Sequence, residues 1–235
     1  MDYQNYDIVD GFDRIAPKYD RGNDAMTLGL HRSWRRKLCR TAAELTPQGG
    51  SLLDIATGTG DVVIGVLHQR PDIQATGTDP SEGMMEIGRR KIDEDPALKG
   101  LNVELKTGDC RSLPFEDNTF DTLTISWGIR NVLPYQDGLR DMHRVLKPGG
   151  HALVLESGTP EFAPMRAFYS LYKNALPWIG SRVTGYKPAY EYYKQSVDNF
   201  TSGRDFVAEM KEIGYSATKY TPLFGGVVYL YQGQK

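Results

Sequence analysis

The fold is decided by residues 53–61, which read LDIATGTGD. They complete a short apolar run, Ser51–Ile55, that is typical of a buried strand, and the two glycines that follow, Gly58 and Gly60, permit a tight turn. A helix is predicted from Asp61, because apolar residues recur on one face of the next segment. Strand, glycine turn and helix in this order open a doubly wound α/β sheet, which binds its ligand at such a turn.

The same alternation of strand and helix patterns continues to residue 157. Further strands are predicted at 73–78, 103–106, 120–127 and 151–156, followed by two last strands at 218–223 and 227–231. Helices are predicted over 82–92, with Ser81 as N-cap, and before a turn at 147–150. The sequence therefore predicts a seven-stranded, mostly parallel sheet with an antiparallel last strand.

Length and composition fit one domain. The 235 residues suffice for a full α/β core, and no repeat or low-complexity linker divides them. Residues 160–200 hold ten of the 25 aromatic residues without strand alternation, so this part is predicted to be a helical insert. The predicted parts of the single domain are a helical extension or lid (1–48), a sheet core (49–158), the insert (159–203), and a last helix with strands (204–235).

Charge and cysteine content exclude several classes of protein. The net charge of −2 gives no global attraction to nucleic acid or to anionic lipid. Two cysteines cannot form a disulfide framework, the first residues lack the apolar block of a signal peptide, and no apolar run approaches the roughly 20 residues of a membrane span. The histidines and cysteines show no metal-ligand spacing. We therefore predict a cytoplasmic protein that binds neither nucleic acid nor metal.

Polar side chains stand at the ends of the predicted strands. Asp79, Asp109 and Ser126 follow three of them, and the glycine turn follows the first. The third glycine of a dinucleotide motif is missing, and the carboxylate of Asp61 at the helix start repels phosphate. An adenosine ligand without phosphates fits this edge. S-adenosylmethionine, with an ammonium group and a cationic sulfur, fits it best.

Four residues have a predicted contact with this ligand. Asp54 accepts a hydrogen bond from the ammonium group, directly or through water, and Asp79 accepts from both ribose hydroxyls. Asp109 suits the adenine amino group, with the backbone N–H of Cys110 beside it. The alternative is that Asp54 and Asp79 are ordinary strand-end caps and that Cys110 only packs. The glycines of the turn, Gly58 and Gly60, complete this set.

Several motifs resemble those of the ubiquinone/menaquinone biosynthesis C-methyltransferases. The most specific is SWGIRNV at 126–132, which is similar to the family's S-F-G-L-R-N-V. FDRIAPKYD at 12–20 is similar to the family's N-terminal signature, and RVLKPGG at 144–150 is shared with many small-molecule methyltransferases. The resemblance covers about residues 12–230. It fails at 155–160, where LESGTP replaces the usual L-E-F-S-x-P.

The resemblance implies a Rossmann-like class I methyltransferase. Such an enzyme uses S-adenosylmethionine, releases S-adenosylhomocysteine, and methylates a ring carbon of a polyprenylated demethylquinol, either demethylmenaquinol or the benzoquinol of ubiquinone synthesis. It implies cofactor contacts at Thr59, Asp79, Asp109, Cys110 and Ser126. The naphthoquinol is favoured, and the sequence leaves the tail length open.

The resemblance also places Arg130 and Asn131 at the acceptor. A ring carbon becomes a good nucleophile when a ring hydroxyl loses its proton, and Arg130 is the predicted stabiliser of the resulting phenolate because it stays cationic. His31 is the candidate base, and a water molecule oriented by Arg130 is the alternative. Residues 12–19 are predicted to form a lid. Tyr19, Asn23, Tyr169 and Tyr190 are the predicted acceptor contacts.

Other functions stay open at this point. They are a methyltransferase for another small lipid or a polyketide, a nucleic-acid methyltransferase, and a non-catalytic S-adenosylmethionine-binding module. A basic stretch around Trp34 is interpreted either as a solvated helix face or as a surface that touches anionic lipid at the inner face of the cell membrane. It comprises Arg32, Arg35, Arg36, Lys37 and Arg40. A homodimer is a further expectation.

Overall fold

The computed structural model describes residues 7–235, apart from several side chains between 176 and 190. The strands are β1 (Ser51–Ile55), β2 (Gln74–Asp79), β3 (Val103–Thr107), β4 (Phe120–Ser126), β5 (Leu146–Ser157), β6 (Ser216–Leu223) and β7 (Val228–Gln234). The helices are α1 (Ile8–Ile15), α2 (Tyr19–Thr27), α3 (Leu30–Leu45), α4 (Asp61–Leu67), α5 (Glu82–Glu94), α6 (Tyr135–Val145), α7 (Ala163–Thr184), α8 (Lys187–Asn199) and α9 (Arg204–Ile213). The predicted N-cap, Ser81, accepts a hydrogen bond from the backbone N–H of Met84.

All the strands belong to one sheet with the order β3-β2-β1-β4-β5-β7-β6. β1 pairs in parallel with β2 on one side and with β4 on the other, and β7 lies antiparallel between β5 and β6. This confirms the predicted fold class. The strand order reverses between β1 and β4, and open α/β sheets bind their ligands in the crevice beyond such a reversal.

Helices bury both faces of the sheet. On one face α6 and α9 contribute Leu139, Met142 and Phe206, all with no exposed surface. On the other face α3 and α4 contribute Leu38 and Val63, which are equally buried. Strands covered on both sides are typically apolar, as in LL at 52–53 and ALVL at 152–155, whereas β4 alternates apolar residues with buried threonines.

The turn predicted at 147–150 lies inside β5. Leu146 already pairs with Phe120, and the register shifts before the next pairs form. The backbone N–H of Gly149 donates to the carbonyl oxygen of Lys235 at 2.8 Å. The glycines therefore form a bulge that pairs with Lys235. The helix before them, α6, ends at Val145, and β5 begins at the next residue, Leu146.

The carboxyl ends of four strands, β2 to β5, differ from the prediction by one residue. Asp79 is the last residue of β2 rather than the first residue after it. β4 ends at Ser126, because Trp127 adopts a left-handed φ of 52° that turns its backbone out of the strand.

The N-terminal helices and the helical insert cover the carboxyl edge of the sheet. α1 packs against α5, α2 packs against α7, and α7 packs against α8. The prediction that the insert is helical is confirmed. Among the helices of residues 7–235, none has both the length and the apolar character needed to cross a membrane.

Candidate active site

A cleft opens at the carboxyl ends of the central strands. Gly58 after β1, Asp79 at the end of β2 and Ser126 at the end of β4 line it, together with Asp109 and Cys110 after β3. The structure thus brings most of the predicted cofactor-binding residues together. They meet because parallel strands end at the same edge of the sheet.

The Asp79 carboxylate is oriented by two backbone N–H groups. Gly58 donates to Oδ2 and Ser81 donates to Oδ1, each at 2.8 Å. Gly58 has a positive φ of 55°, which a glycine adopts without strain. Burial raises the pKa of Asp79 to about 6, although both hydrogen bonds oppose the shift. At neutral pH the cleft therefore presents a desolvated, fixed anion to the donors of a ligand.

Three predicted cofactor residues, Asp54, Thr59 and Gly60, do not line the cleft. Asp54 is 1% exposed, and the Thr124 hydroxyl donates to its Oδ1 at 2.6 Å. Burial raises the pKa of Asp54 to about 7. Gly60 precedes α4 with a positive φ of 78°, which a glycine adopts without strain, so its role is in the turn between β1 and α4 and not in the lining of the cleft. These residues lie behind those that face the ligand.

Thr59 belongs to a charged network that sequence reasoning missed. The Lys91 ammonium of α5 donates to Thr59 Oγ1 at 2.9 Å, to Asp61 Oδ1 at 2.9 Å and to Asp20 Oδ2 at 2.8 Å. Arg35 of α3 also pairs with Asp61, at 2.6 Å. Lys91 therefore connects the glycine turn with α2. Nothing in the sequence spacing indicates this, because the partners come from four separate elements.

Asp109 already has a partner within the protein. The Arg111 guanidinium donates to both of its oxygens and to the carbonyl oxygen of Leu133, the last at 3.0 Å. These hydrogen bonds hold the pKa of Asp109 below its ordinary value. Its side chain is 46% exposed, so it keeps room for a further donor. Burial raises the pKa of the neighbouring Cys110 thiol to about 12, which keeps that thiol neutral.

Asn131 lines the cofactor cleft, not the acceptor cavity described below. Its Nδ2 donates to the carbonyl oxygen of Trp127 at 3.3 Å, whereas its Oδ1 is buried without a hydrogen-bond partner among the described residues. A buried acceptor without a partner is costly, so a donor from a ligand is expected there. Carboxylates and an amide oxygen suit a ligand that carries hydroxyl, amino and ammonium groups.

A second cavity adjoins the cleft beneath α1 and α2. Ile8, Phe12, Tyr19 and Trp127 line both spaces and form the partition between them. The predicted acceptor-side residues that line this cavity are Tyr19, Asn23, His31 and Arg130. Most of the remaining wall is apolar or aromatic, contributed by Ile15, Met26, Tyr172, Ala189, Tyr192 and Tyr193.

Arg130 is 6% exposed at the wall of the second cavity and is held from three elements. Its Nη1 donates to Glu156 Oε1 of β5 at 2.6 Å and to the carbonyl oxygen of Trp127 at 2.8 Å. Its Nε donates to Ser196 Oγ of α8 at 3.2 Å, and its guanidinium lies 4.9 Å from the Tyr193 ring centroid. Burial lowers the pKa of Arg130, but the Glu156 carboxylate more than compensates, so the group stays cationic.

Glu156 is the functional residue that sequence reasoning missed here. It has no exposed surface, and its Oε1 also accepts from the backbone N–H of Ser157 at 2.7 Å. The available signal was a single acidic residue in an otherwise apolar strand. Such a residue needs a buried cationic partner.

His31 is buried against the edge of the Trp127 ring, with ring centroids 6.4 Å apart. Its Nδ1 lies 2.8 Å from Thr27 Oγ1, which donates to the carbonyl oxygen of Asn23 at 2.7 Å. Because Thr27 has one hydroxyl proton, its oxygen accepts from Nδ1–H, and Nε2 of His31 keeps the lone pair. Burial, followed by the Arg35 charge, lowers the pKa of His31. The imidazole is therefore neutral at neutral pH.

The predicted lid covers the cofactor cleft. Asp13 of α1 accepts from the Ser81 hydroxyl at 2.5 Å and from the backbone N–H of Gly83 at 3.2 Å, at the start of α5. In contrast, Tyr169 is 2% exposed and packs its ring against Tyr172, so it lies behind the cavity wall rather than in it. The side chain of Tyr190 lies outside the described part of the structure.

The whole chain, residues 1–235, matches the model of the ubiE/COQ5 methyltransferase family. The chain belongs to this family. It is 39% identical over 225 residues to a demethylmenaquinone methyltransferase of Bacteroides fragilis. The aligned residues cover 95% of this chain and 90% of that relative. It is also 39% identical over 233 residues to a ubiquinone/menaquinone biosynthesis C-methyltransferase UbiE of Geotalea uraniireducens, covering 97% and 96% of the two chains.

Solved structures agree with this assignment at the level of the fold. An S-adenosylmethionine-dependent methyltransferase from Thermotoga maritima superposes with a TM-score of 0.64 at 20% identity, covering 95% of this chain and 98% of that one. One from Aquifex aeolicus superposes with a TM-score of 0.60 at 16% identity, covering 85% and 88%. This member of the ubiE/COQ5 family is therefore an S-adenosylmethionine-dependent methyltransferase, and the acceptors of the cleft suit that cofactor.

Proposed function

We propose that the protein transfers a methyl group from S-adenosylmethionine to a ring carbon of a polyprenylated demethylquinol in quinone biosynthesis. One observation carries the proposal: an apolar cavity with a buried guanidinium and a neutral imidazole adjoins the cofactor cleft across a single layer of side chains. A flat, lipid-soluble ring with ionisable hydroxyls matches that lining. The relatives are named as methyltransferases of menaquinone or ubiquinone biosynthesis, which supports a quinol as the acceptor.

Arg130 stabilises the activated ring oxygen. As a hydroxyl of the quinol loses its proton, negative charge spreads into the ring and makes the ring carbon nucleophilic. The guanidinium is already fixed by Glu156 and Ser196, so it need not reorganise when that charge develops. Exclusion of water from the cavity strengthens the interaction.

His31 takes the hydroxyl proton through Nε2. The geometry supports this role, because Thr27 fixes the tautomer with Nδ1 protonated and burial keeps the ring neutral. The cofactor would supply the methyl group, whose bond to sulfur breaks as its bond to the ring carbon forms, leaving S-adenosylhomocysteine. The methylated ring carbon then releases its proton to water, which restores aromaticity, and the proton held on His31 Nε2 returns to the ring oxygen.

The cleft residues would hold the methyl donor. Asp79 would accept from the ribose hydroxyls, Asp109 from the adenine amino group, and Asp54 from the ammonium group through water. The buried Oδ1 of Asn131, which has no partner among the described residues, would accept from a further donor of the cofactor. When bound, S-adenosylmethionine supplies an electrophilic methyl group on a cationic sulfur.

The four parts of the chain divide these tasks. The lid (1–48) closes both spaces from the solvent, the core (49–158) binds the cofactor, and the insert (159–203) supplies the far wall of the acceptor cavity. The last helix and strands (204–235) complete the sheet. We further propose that the enzyme acts in the cytoplasm at the inner face of the cell membrane, where its acceptor is dissolved, and that it forms a homodimer.

The test is to incubate the enzyme with labelled S-adenosylmethionine and reduced demethylated quinols of both ring types. Mass spectrometry of the extracted lipid should find the label on the naphthoquinol. A benzoquinol product would correct the ring type, and labelling of neither quinol would refute the proposal.

A further inference from the structure

One helix of the insert presents an apolar stripe to the solvent. Phe168, Leu171 and Trp178 of α7 are 58%, 75% and 59% exposed. Together with Ala175, which is also exposed, they follow the spacing i, i+3, i+7, i+10 and lie on one face. The other side of the helix carries Tyr169, which is buried in the core. Exposure of three large apolar side chains on one stripe indicates a binding surface.

The charge of α7 indicates what that surface binds. The helix contains no acidic residue and carries Arg166, Lys173 and Arg182. Lys173 pairs with Asp198 of α8. Arg182 continues the stripe, and its guanidinium carbon lies 4.0 Å above the Trp178 ring. An apolar aromatic stripe with cations and without carboxylates is typical of a helix that lies in the interface of an anionic bilayer.

The stripe lies next to the acceptor cavity. Tyr172, adjacent to Leu171 in the chain, lines the cavity, and its hydroxyl donates to the carbonyl oxygen of Met26 in α2. Leu28, two residues further, is 89% exposed and has a left-handed φ of 50°, which is unfavourable for leucine. Docking through α7 would therefore bring the cavity within about one helix diameter, ~10 Å, of the lipid.

The basic stretch of α3 is less suited to this role. Arg32 pairs with Asp24, and Arg35, only 24% exposed, pairs with Asp61. Two of its cations are thus already neutralised within the protein. The α3 stretch also lacks an exposed aromatic stripe among its described side chains.

We propose that the outer face of α7, namely Phe168, Leu171, Trp178 and Arg182, together with Leu28, docks the enzyme on an anionic lipid bilayer. The inference deepens the proposed function, because the bilayer would be the source of the polyprenylated acceptor. It is independent of which quinol is methylated.

Vesicle sedimentation tests the surface. The full-length enzyme should bind vesicles of equal parts phosphatidylglycerol and phosphatidylcholine more tightly than vesicles of phosphatidylcholine alone. The variant F168S/L171S should lose at least about tenfold in affinity for the anionic vesicles, because it removes two side chains that enter the interface. The matched control R36Q/K37Q/R40Q, which neutralises two exposed cations and the partly buried Lys37 of α3, should bind nearly as the wild type does.

Three results would overturn the proposal. The first is wild-type binding by F168S/L171S, and the second is loss of binding in the α3 control alone. The third is a dimer that dissociates in F168S/L171S while vesicle binding persists, which would make the stripe an interface with a second copy of the chain. Binding of S-adenosylhomocysteine verifies that each variant is folded. In a separate measurement, Trp178→Phe should still bind the vesicles but should abolish the shift in tryptophan emission that vesicles cause in the wild type.

Activity assays separate this proposal from the function on which it rests. With a short-tailed demethylated quinol in buffer, F168S/L171S should keep wild-type kcat. With a long-tailed quinol in anionic vesicles, its rate should fall with its vesicle affinity. If the wild type methylates no quinol, the proposed function fails, whereas the sedimentation result still decides the docking surface.

Discussion

At the scale of single residues, the acceptor cavity depends on the buried ion pair of Arg130 and Glu156. Neither charge is stable alone in a site with 6% and 0% side-chain exposure. Paired, they keep the guanidinium in one orientation at the wall of the cavity. The pair thus has a structural role and, in the proposed reaction, a catalytic role, and these can be separated by experiment.

Replacing Arg130 with Met should reduce kcat by at least about 100-fold, since the phenolate loses its stabilising donor. It should also lower the free energy of unfolding by about 3–5 kcal/mol, because Glu156 is left as an uncompensated buried charge. The double variant R130M/E156Q should recover most of the stability and none of the activity. Chemical denaturation and steady-state kinetics measure the two effects, and recovery of activity in the double variant would contradict the assigned role.

The affinity for the cofactor should depend on the ionisation of Asp79. Its pKa in the folded protein is raised to about 6, so folding favours the protonated form, and this group's contribution to stability falls as pH rises from about 4 to about 6. Ribose hydroxyls donate to the ionised form, so affinity should rise about tenfold between pH 5 and pH 8. Asp79→Asn should bind more weakly and with a smaller rise, because only Asp54, whose pKa is about 7, then still ionises in this pH range. Calorimetric titration with S-adenosylhomocysteine measures the affinity and its dependence on pH. A pH profile that is the same in the variant and the wild type would exclude the contact between Asp79 and the ribose.

His31→Gln should lower kcat by about 100-fold with little change in the KM for S-adenosylmethionine, because the proton acceptor is lost while the cofactor cleft is untouched. The pKa of His31 is lowered below its ordinary value, so the wild-type rate should decline only below about pH 6.5. His143→Gln is a matched control, because that imidazole packs against Tyr215 in the core. Equal losses in both variants would assign His31 a structural role.

Local patterns predicted the side chains at the strand ends but not their buried partners. Asp79 and Ser126 were found because a strand pattern stops at each of them. Glu156 was missed because its partner, Arg130, lies 26 positions away in sequence, on another element. Tyr169 was assigned to the acceptor because an aromatic residue in a helical segment reads alike whether it faces the core or a cavity.

At the scale of secondary-structure elements, the lid is attached to α5 at two points. Asp13 of α1 bonds to the start of α5, and Asp20 of α2 bonds to Lys91 of the same helix. Because Lys91 also reaches Thr59 of the glycine turn, lid closure and cofactor binding share one side chain. The lid should therefore loosen when Lys91 is replaced.

Lys91→Met should raise the KM for S-adenosylmethionine about tenfold and lower stability by about 1 kcal/mol or less, because the pairs are partly exposed. Hydrogen exchange in α1 and α2 should become faster. Lys99→Met, a change at an exposed lysine beyond the same helix, should do neither. Unchanged exchange in the lid would show that Lys91 does not hold it.

At the scale of the whole molecule, the sequence predicted the sheet because each strand and its turn carry their own signal. β1 and β5 contain short apolar runs, β4 alternates apolar residues with threonine, and Gly58 and Gly60 mark the first turn. The division of the ligand space into two cavities was not predictable in this way. It arises where α1 and α2 meet the end of β4, so Phe12, Tyr19 and Trp127 become a partition only in three dimensions. For the same reason Asn131 faces the cofactor although it adjoins Arg130.

The central claim is that this partition separates a methyl donor from a quinol ring whose carbon accepts the methyl group. The most direct test is a single-turnover reaction with methyl-labelled S-adenosylmethionine and reduced demethylmenaquinol, followed by NMR of the extracted product. The account predicts one labelled methyl group on a ring carbon and an equal amount of S-adenosylhomocysteine. Label on a ring oxygen, or tight cofactor binding without any transfer to the quinol, would contradict it.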